Sequence, residues 1–127
     1  MHKIFLTRIF LTAVLVALPF TFSVAAASAG DATVSPRKIE VVAKRFEYIP
    51  AEITLKKGEP VVIELTSLDV AHGVKFKELN IEADDIKKNG TAELAFTPTQ
   101  VGDFVGHCSR FCGAGHGTMT LTLHVRE

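Results

Sequence analysis

The strongest constraint on this chain is residues 108–119, where four side chains that bind soft metals lie close together. The segment contains both cysteines of the protein, one of its five histidines and its only methionine apart from Met1. Their spacing is Cys-x3-Cys-x3-His-x2-Met, and intervening glycines allow the backbone to approach a bound ion closely. Thiolate, thioether and imidazole groups together favour copper. The segment therefore predicts a copper-binding loop, for which the rest of the chain is expected to supply a scaffold and one further ligand.

Cys108 and Cys112 could instead be joined to each other. Two cysteines in an oxidising compartment form a disulfide by default. A bridge between residues four apart closes a very short loop, so it gains little from loop entropy and is prone to strain. Two thiolates held by a metal also account for the nearby histidine and methionine. The metal site is therefore the favoured interpretation, and a disulfide without metal is the alternative.

The first 29 residues have the pattern of a secretory signal peptide. Positive charges at the start precede an apolar stretch at 9–24, and small residues at 25–29 offer cleavage sites after Ala27 or Ala29. The apolar stretch approaches the ~20 residues that span a bilayer, so an uncleaved N-terminal membrane anchor is the alternative. Both interpretations place the remainder outside the cytoplasm, in the periplasm or an equivalent compartment. The membrane would be a partner only if the leader is retained.

Charge and motif content argue against several classes of function. The 127 residues carry 14 basic and 14 acidic side chains, with no basic run of the kind that binds nucleic acid. A chain of this length is expected to form one domain. It contains no catalytic triad, metalloprotease signature or phosphate-binding loop. The sequence therefore predicts a binding or carrier protein that is not an enzyme by itself and has no nucleic acid partner.

Residues 30–37 are small and polar, and they are interpreted as a flexible lead-in to a single domain at 38–127. Within the domain, short alternating apolar segments are separated by frequent turn signals, without a convincing helical pattern. This arrangement predicts an all-β sandwich or barrel of about seven or eight strands. The predicted strands lie at 38–49, 53–56, 61–67, 74–77, 94–96, 104–105 and 119–125.

The histidines that follow the leader differ as candidates for the missing ligand. His116 already lies within the loop, and His124 sits on the last predicted strand opposite its apolar face. His107 directly precedes Cys108, and adjacent residues of a strand point to opposite faces, so it should face away from a metal bound there. His72 lies between two predicted strands, next to a glycine. A lone loop histidine is more often structural, so spacing alone leaves its role open.

Residues 108–119 resemble the dinuclear copper loop of cytochrome c oxidase subunit II. The Asp-Val-Ala-His sequence at 69–72 is similar to the upstream ligand region of that family, and residues 46–50 are similar to the opening strands of cupredoxin-like domains. The resemblance covers about residues 38–125. A mononuclear blue copper site requires one cysteine, whereas two cysteines four apart mark the dinuclear CuA centre. The resemblance implies a cupredoxin-like Greek-key fold that holds two copper ions.

The same resemblance implies a ligand for each position of the centre. Both thiolates would bridge the two coppers. One copper would be completed by the upstream imidazole and the thioether, and the other by the loop imidazole and a backbone carbonyl. In this chain those positions are Cys108 and Cys112, His72 with Met119, and His116 with the backbone carbonyl of Arg110. Arg110 stands where the family usually has glutamate, a change that a carbonyl ligand tolerates.

The resemblance further implies an electron carrier whose redox partner is a c-type cytochrome or a terminal oxidase subunit. Family members are usually tethered by one or two transmembrane helices, and they often have a Trp-containing aromatic run for electron entry. This chain has one leader and no Trp. These differences indicate a free-standing, exported relative of subunit II, with a truncated relative as the alternative, and they do not imply membership of an oxidase.

Other interpretations use the same residues. The protein could bind and deliver copper in the periplasm, although ligands on a closed loop favour retention, or it could be a mononuclear cupredoxin. A tetrahedral zinc site could combine the two cysteines with His72 and His116, which leaves Met119 without a role. CuA domains also occur attached to nitrous oxide reductase, so a fragment of an enzyme is a further alternative.

Side chains around the predicted site add two expectations. Phe111 inside the loop and Phe104 before it are expected to exclude water from the sulfurs, with core packing the favoured role for Phe104. Lys75, Lys77 and Arg110 could form a basic docking patch near the site. A merely solvated face is the favoured interpretation of these three charges.

Overall fold

The computed structural model describes residues 33–127. The predicted leader at 1–29, with its cleavage sites, lies outside these residues. Residues 33–36 are exposed and form no strand, and the first strand begins at Arg37. Within the described part of the chain, no helix combines the length and the apolar character needed to cross a membrane.

Residues 33–127 form nine β-strands and one short 3₁₀ turn, without an α-helix. The all-β fold class predicted from the sequence is therefore confirmed. The strands are β1 (Arg37–Lys44), β2 (Glu47–Ile49), β3 (Glu52–Lys56), β4 (Val61–Ser67), β5 (His72–Phe76), β6 (Ile81–Ile86), β7 (Thr91–Phe96), β8 (Gly102–His107) and β9 (Thr120–Arg126), and the 3₁₀ turn is His116–Thr118.

The strands form two sheets that share one apolar core. One sheet has the order β2-β1-β4-β7, and the other has the order β3-β9-β8-β5-β6. β1 pairs with β4 and β3 pairs with β9 in parallel, while the remaining pairs are antiparallel. The chain passes repeatedly from one sheet to the other, so both layers depend on the same core, as in a β-sandwich.

The strand count is nine rather than about seven or eight, and two segments explain the difference. The segment at 38–49, interpreted as one strand, breaks at a turn of Arg45 and Phe46 into β1 and β2. β6 lies in a polar segment that was not expected to form a strand. It is an edge strand, and its charged residues Glu82 and Asp84 are exposed. Apolar alternation is weak in such a strand, so the sequence pattern does not reveal it.

Alternating apolar side chains fill the space between the sheets. Burying one such side chain contributes roughly 1.5–3 kcal/mol. β5, β8 and β9 are neighbours in one of the two sheets. The predicted ligands lie on β5 and in the segment between β8 and β9. The inward residues of β4 and β9 are almost wholly buried, as a period of two predicts: Val61, Ile63, Leu65, Leu121, Leu123 and Val125.

Candidate metal centre

The loop at 108–119 connects β8 to β9, which are antiparallel partners. The two strands stay paired up to His107, and the Cys108 amide donates to the Met119 carbonyl at 3.1 Å. β5 pairs with the other edge of β8 and runs antiparallel to it. Its first residue, His72, therefore lies at the same end of the sheet as the loop.

Cys108 and Cys112 are free thiols, and they are only 6 % and 4 % exposed. Their Sγ atoms lie 3.9 Å apart, well beyond the ~2.05 Å of a disulfide bond. Burial raises the pKa of the Cys112 thiol to about 11, and the neighbouring Cys108 adds to the rise. A thiolate at this site therefore needs a cation beside it at neutral pH, as a bound metal would provide.

Each sulfur has its own imidazole neighbour. The Nδ1 atom of His72 lies 4.0 Å from the Sγ of Cys108, and the Nδ1 atom of His116 lies 3.8 Å from the Sγ of Cys112. The donor atoms of His72 and the two cysteines lie within 4.8 Å of one another, whereas His116 is not part of that set. The two imidazoles therefore approach the thiol pair at different sulfurs.

Two weaker donors complete the cluster. The Sδ atom of Met119, a fully buried residue, lies 3.9 Å from the Sγ of Cys112. The carbonyl oxygen of Arg110 lies 3.1 Å from the Sγ of Cys108. The structure thus brings the four other predicted groups to the pair of cysteine sulfurs, and which groups share an ion stays a prediction.

Asp69 fixes the orientation of His72. The His72 Nε2 atom lies 2.7 Å from Asp69 Oδ1, which assigns the proton to Nε2 and leaves the Nδ1 lone pair facing Cys108. Desolvation raises the pKa of the carboxyl, but hydrogen bonds from the Arg45 amide, from His72 and from a second backbone amide lower it to about 2. Sequence reasoning missed this role, although the three-residue spacing from a loop histidine was a usable signal.

The spacing of the donors suits metal ions. Metal–sulfur and metal–nitrogen bonds in proteins are about 2.3 and 2.0 Å long, so two sulfurs on one ion lie at most about 4.6 Å apart. The neighbouring donor pairs here lie between 3.1 and 4.0 Å apart. His116 lies outside the compact set that His72 forms with the two cysteines. These soft donors favour copper, and their arrangement allows two ions.

Contacts from β6 hold the loop from outside. The hydroxyl of Ser109 donates to Asp84 at 2.9 Å, and Arg110 forms an ion pair with Asp85 at 2.7 Å. Lys75 is also paired with a carboxylate of β6. Two of the three residues considered as a basic patch are thus paired with acidic neighbours, in keeping with the favoured solvated face.

The role expected for Phe111 is wrong. Its side chain is 79 % exposed, so it does not exclude water from the sulfurs. Because Cys108 and Cys112 both turn inward, the Phe111 side chain between them points outward, where its ring lies 5.7 Å from that of His116. Phe104 is instead a buried core residue, as favoured.

The remaining two described histidines lie away from the sulfurs. His107 is exposed, as expected for the neighbour of the buried Cys108. His124 on β9 lies 2.8 Å from Asp103 on β8. These positions leave His72 and His116 as the imidazoles of the candidate centre.

Comparison with families and known proteins gives consistent matches. A family model described as a cupredoxin-like domain matches residues 12–121. Cytochrome c oxidase subunit 2 of Thermus thermophilus is 30 % identical over 89 residues, which cover 70 % of this chain and 65 % of that protein. Only 52 % of a second subunit 2 from the same species is covered. The chain therefore spans about half to two thirds of the length of these relatives.

Two solved structures share the fold. The periplasmic domain of subunit II of cytochrome oxidase from Bradyrhizobium japonicum has a TM-score of 0.64 at 19 % identity, and the match covers 72 % of this chain and 84 % of that one. The metal-binding domain of the Cu(I)-exporting P-type ATPase of Streptococcus pneumoniae, solved with Cu(I), has a TM-score of 0.59 at 26 % identity. That match covers 71 % of this chain and 85 % of that one.

Proposed function

The chain belongs to the cupredoxin-like domain family and is related to cytochrome c oxidase subunit II, and from that membership we propose that it is an electron carrier with a dinuclear copper centre. Copper binding suits the family and the soft donor set. We further propose that the centre holds two ions, that each ion has the ligands named below, that the protein is exported, and that its partner is another redox protein.

The observation that carries the proposal is one imidazole beside each sulfur of a buried thiol pair. A mononuclear copper site needs one cysteine and would leave the second thiol buried without a function. A single zinc ion would leave out one imidazole and the thioether. Two ions bridged by both thiolates use all six groups, namely His72, Cys108, the Arg110 carbonyl, Cys112, His116 and Met119.

When bound, copper supplies a one-electron couple whose charge is shared over two ions. Cys108 and Cys112, both buried, would hold the ions that carry this charge. The pairing of β8 with β9 and the buried position of His72 would restrain the ligands, so that their positions change little when the electron count changes. Small structural change on gaining or losing an electron is what a carrier requires.

Export and a free-standing role are part of the proposal. They are supported by the signal-like pattern at 1–29 and by the structural neighbour from B. japonicum, which is described as a periplasmic domain. The Thermus relative is a subunit of cytochrome c oxidase. The redox partner would therefore be a c-type cytochrome or a terminal oxidase subunit, and the domain could equally serve as a component of such a complex.

Stopped-flow mixing of the copper-loaded protein with a reduced c-type cytochrome tests the proposed function. We expect the cytochrome to be oxidised by the wild-type protein but not by a Cys108→Ser/Cys112→Ser variant treated with copper in the same way. The His124→Ala variant is the matched control and should react like wild type. Copper-loaded wild type that leaves the cytochrome reduced would contradict the proposal.

Delivery of Cu(I) is the second candidate, and one neighbour favours it. The metal-binding domain of the Cu(I)-exporting ATPase has the same fold, and His116 in this chain is partly exposed, which gives a route to the sulfurs. A delivery protein would pass its copper to a competing Cu(I) chelator within minutes. A carrier would retain the metal over the same period, so the rate of transfer distinguishes the two functions.

A further inference from the structure

Arg45 contacts both segments that carry the candidate ligands. It lies in the turn between β1 and β2, and its Nε atom donates to the carbonyl of Cys112 at 2.9 Å. Its backbone amide donates to Asp69 Oδ2 at 2.8 Å, and Asp69 in turn orients His72. One turn, distant in sequence from both segments, is therefore bonded to the loop and to the upstream histidine.

The neighbouring Phe46 strengthens the contact between the turn and the loop. Its ring lies directly against Gly113 and Gly115, where added Cβ atoms would come within 3.0 and 2.3 Å of ring carbons. A side chain at Gly115 would displace the ring, and Gly113 also has a backbone φ of +135° that favours glycine. The Arg45 hydrogen bond is therefore made across a tightly packed surface, which limits movement of Cys112.

The guanidinium of Arg45 lies in no ion pair within the described part of the chain. The carboxylate of Asp69 binds the backbone amide of Arg45. The guanidinium instead places a full positive charge against the carbonyl of a candidate ligand.

We propose that Arg45 is a positioning residue, which holds the ligand loop through the Cys112 carbonyl and raises the reduction potential of the copper centre through its charge. The holding role depends only on the protein. The effect on the potential rests on the proposed function, because a nearby positive charge stabilises the reduced centre, which carries one more electron.

Four side chains at position 45 separate the two roles. In Arg45→Gln, the amide nitrogen occupies the same place along the side chain as the arginine Nε, so the donor is kept and the charge is lost. In Arg45→Lys, a methylene occupies that place, so the charge is kept and the donor is displaced. Arg45→Met has neither. Arg37→Met, at the other end of β1, is the control for loss of a remote arginine.

The holding role predicts which variants loosen the loop. We expect Arg45→Lys and Arg45→Met to release copper to a chelator about three- to tenfold faster than wild type. A rate change of this size corresponds to the loss of one hydrogen bond. Arg45→Gln and Arg37→Met should match wild type. In the metal-free proteins, NMR relaxation of loop amides should show added motion in the Lys and Met variants only.

The electrostatic role predicts a different grouping of the variants, according to whether they keep the positive charge. Spectroelectrochemical titration should give Arg45→Gln and Arg45→Met lower potentials than wild type, equivalent to about a three- to tenfold change in the redox equilibrium constant. Arg45→Lys and Arg37→Met should stay at the wild-type potential. High salt should reduce the difference in reduction potential between these variants and wild type, because the guanidinium is partly exposed to solvent.

Two results would overturn the inference. Unchanged loop motion and copper release in Arg45→Met would remove the holding role, and an unchanged potential in Arg45→Gln would remove the electrostatic role. Failure of the wild-type protein to bind two coppers would instead contradict the proposed function. The NMR comparison of metal-free proteins would still test the hydrogen bond in that case.

Discussion

His72 depends on a second side chain for its use as a ligand. The residue is fully buried, its Nε2 atom donates to Asp69, and its Nδ1 atom faces the Sγ of Cys108. Both ring nitrogens therefore have defined neighbours, which is typical of a metal-binding histidine held by a carboxylate. A merely solvated loop histidine would show neither the burial nor the paired contacts.

Replacement of His72 by alanine should remove one of the two copper positions and leave His116 for the other. We expect the copper content to fall towards one ion per chain and the shared-electron spectrum to disappear. Atomic absorption and electron spin resonance measure the two effects. His124→Ala, which removes an imidazole distant from the sulfurs, should keep both ions. A His72→Ala protein with an unchanged spectrum would remove His72 from the site.

Among the elements, the ligand loop depends on the turn between β1 and β2. A Cβ atom on Gly115 would lie 2.3 Å from a ring atom of Phe46, whereas a Cβ atom on Gly117 would meet no atom within 4 Å. Two glycines of the same short loop therefore have opposite tolerance for a methyl group. This difference provides a matched pair of variants.

Gly115→Ala should displace the loop and destabilise the protein by about 1–3 kcal/mol, the usual effect of overpacking. Gly117→Ala should remain close to wild type. Urea unfolding of the metal-free proteins gives the two stabilities, and the rate of copper release gives the effect on the site. Equal behaviour of the two variants would show that contact with Phe46 does not hold the loop.

The β8–β9 hairpin carries an ion cluster that should make stability depend on pH. Asp103 lies 2.8 Å from His124 and 2.7 Å from Arg126. Hydrogen bonds from His124 and then Arg126 lower the pKa of Asp103 in the folded protein. Its stabilising contribution is therefore complete above the unfolded-state pKa of about 3.9, and it is lost as pH falls through the lower folded-state pKa.

Asp103→Asn should consequently be less stable than wild type at pH 6, and the difference should be smaller at pH 3. The difference should be small, because the carboxylate is exposed and its ion pairs are screened by water. Urea midpoints at both pH values measure it. Glu78→Gln, in an exposed turn, is the control and should show no such change with pH. A difference that stays constant with pH would contradict the assignment.

The domain at 33–127 is a small sandwich, so a bound metal should contribute a large share of its stability. A domain of about 100 residues buries a smaller share of the surface of its unfolded chain than a larger domain does. A ligand that binds only the folded state adds about 2.7 kcal/mol at a concentration one hundred times its Kd. For a domain of this size, each kcal/mol shifts the Tm by roughly 4–8 °C.

Copper should therefore raise the Tm by about 10 °C or more, as measured by differential scanning calorimetry of the metal-free and loaded protein. Cys108→Ser/Cys112→Ser should gain little, because its hydroxyls do not replace bridging thiolates. An equal rise in that variant would show that copper stabilises the fold at some other place.

The sequence predicts the parts of this molecule that depend on local spacing. The alternation of apolar and polar residues is sufficient to predict the all-β class. The residue types at 108–119 are sufficient to predict a cupredoxin-like domain, which the family match confirms. His72 was recognisable only through that resemblance. The break of the segment 38–49 into β1 and β2 was not predicted, and neither was the edge strand β6. Polar residues in these segments obscure the strand pairing that the rest of the sheet imposes.

The supporting contacts could not be predicted because they join distant segments. Arg45 and Cys112 are 67 positions apart, and no periodicity relates an arginine in a hairpin turn to a carbonyl in a later loop. Phe111 was assigned the wrong role for a similar reason, since the direction of its side chain follows from the inward turn of both cysteines. Burial direction within an irregular loop is a property of the folded chain.

Copper counting and electron spin resonance on one copper-loaded sample of the purified protein show whether the centre is dinuclear. We expect two coppers per chain and a single unpaired electron with hyperfine coupling to both nuclei. One copper with a single-nucleus pattern would contradict this expectation. So would a protein whose two cysteines, after full reduction, still take up no copper.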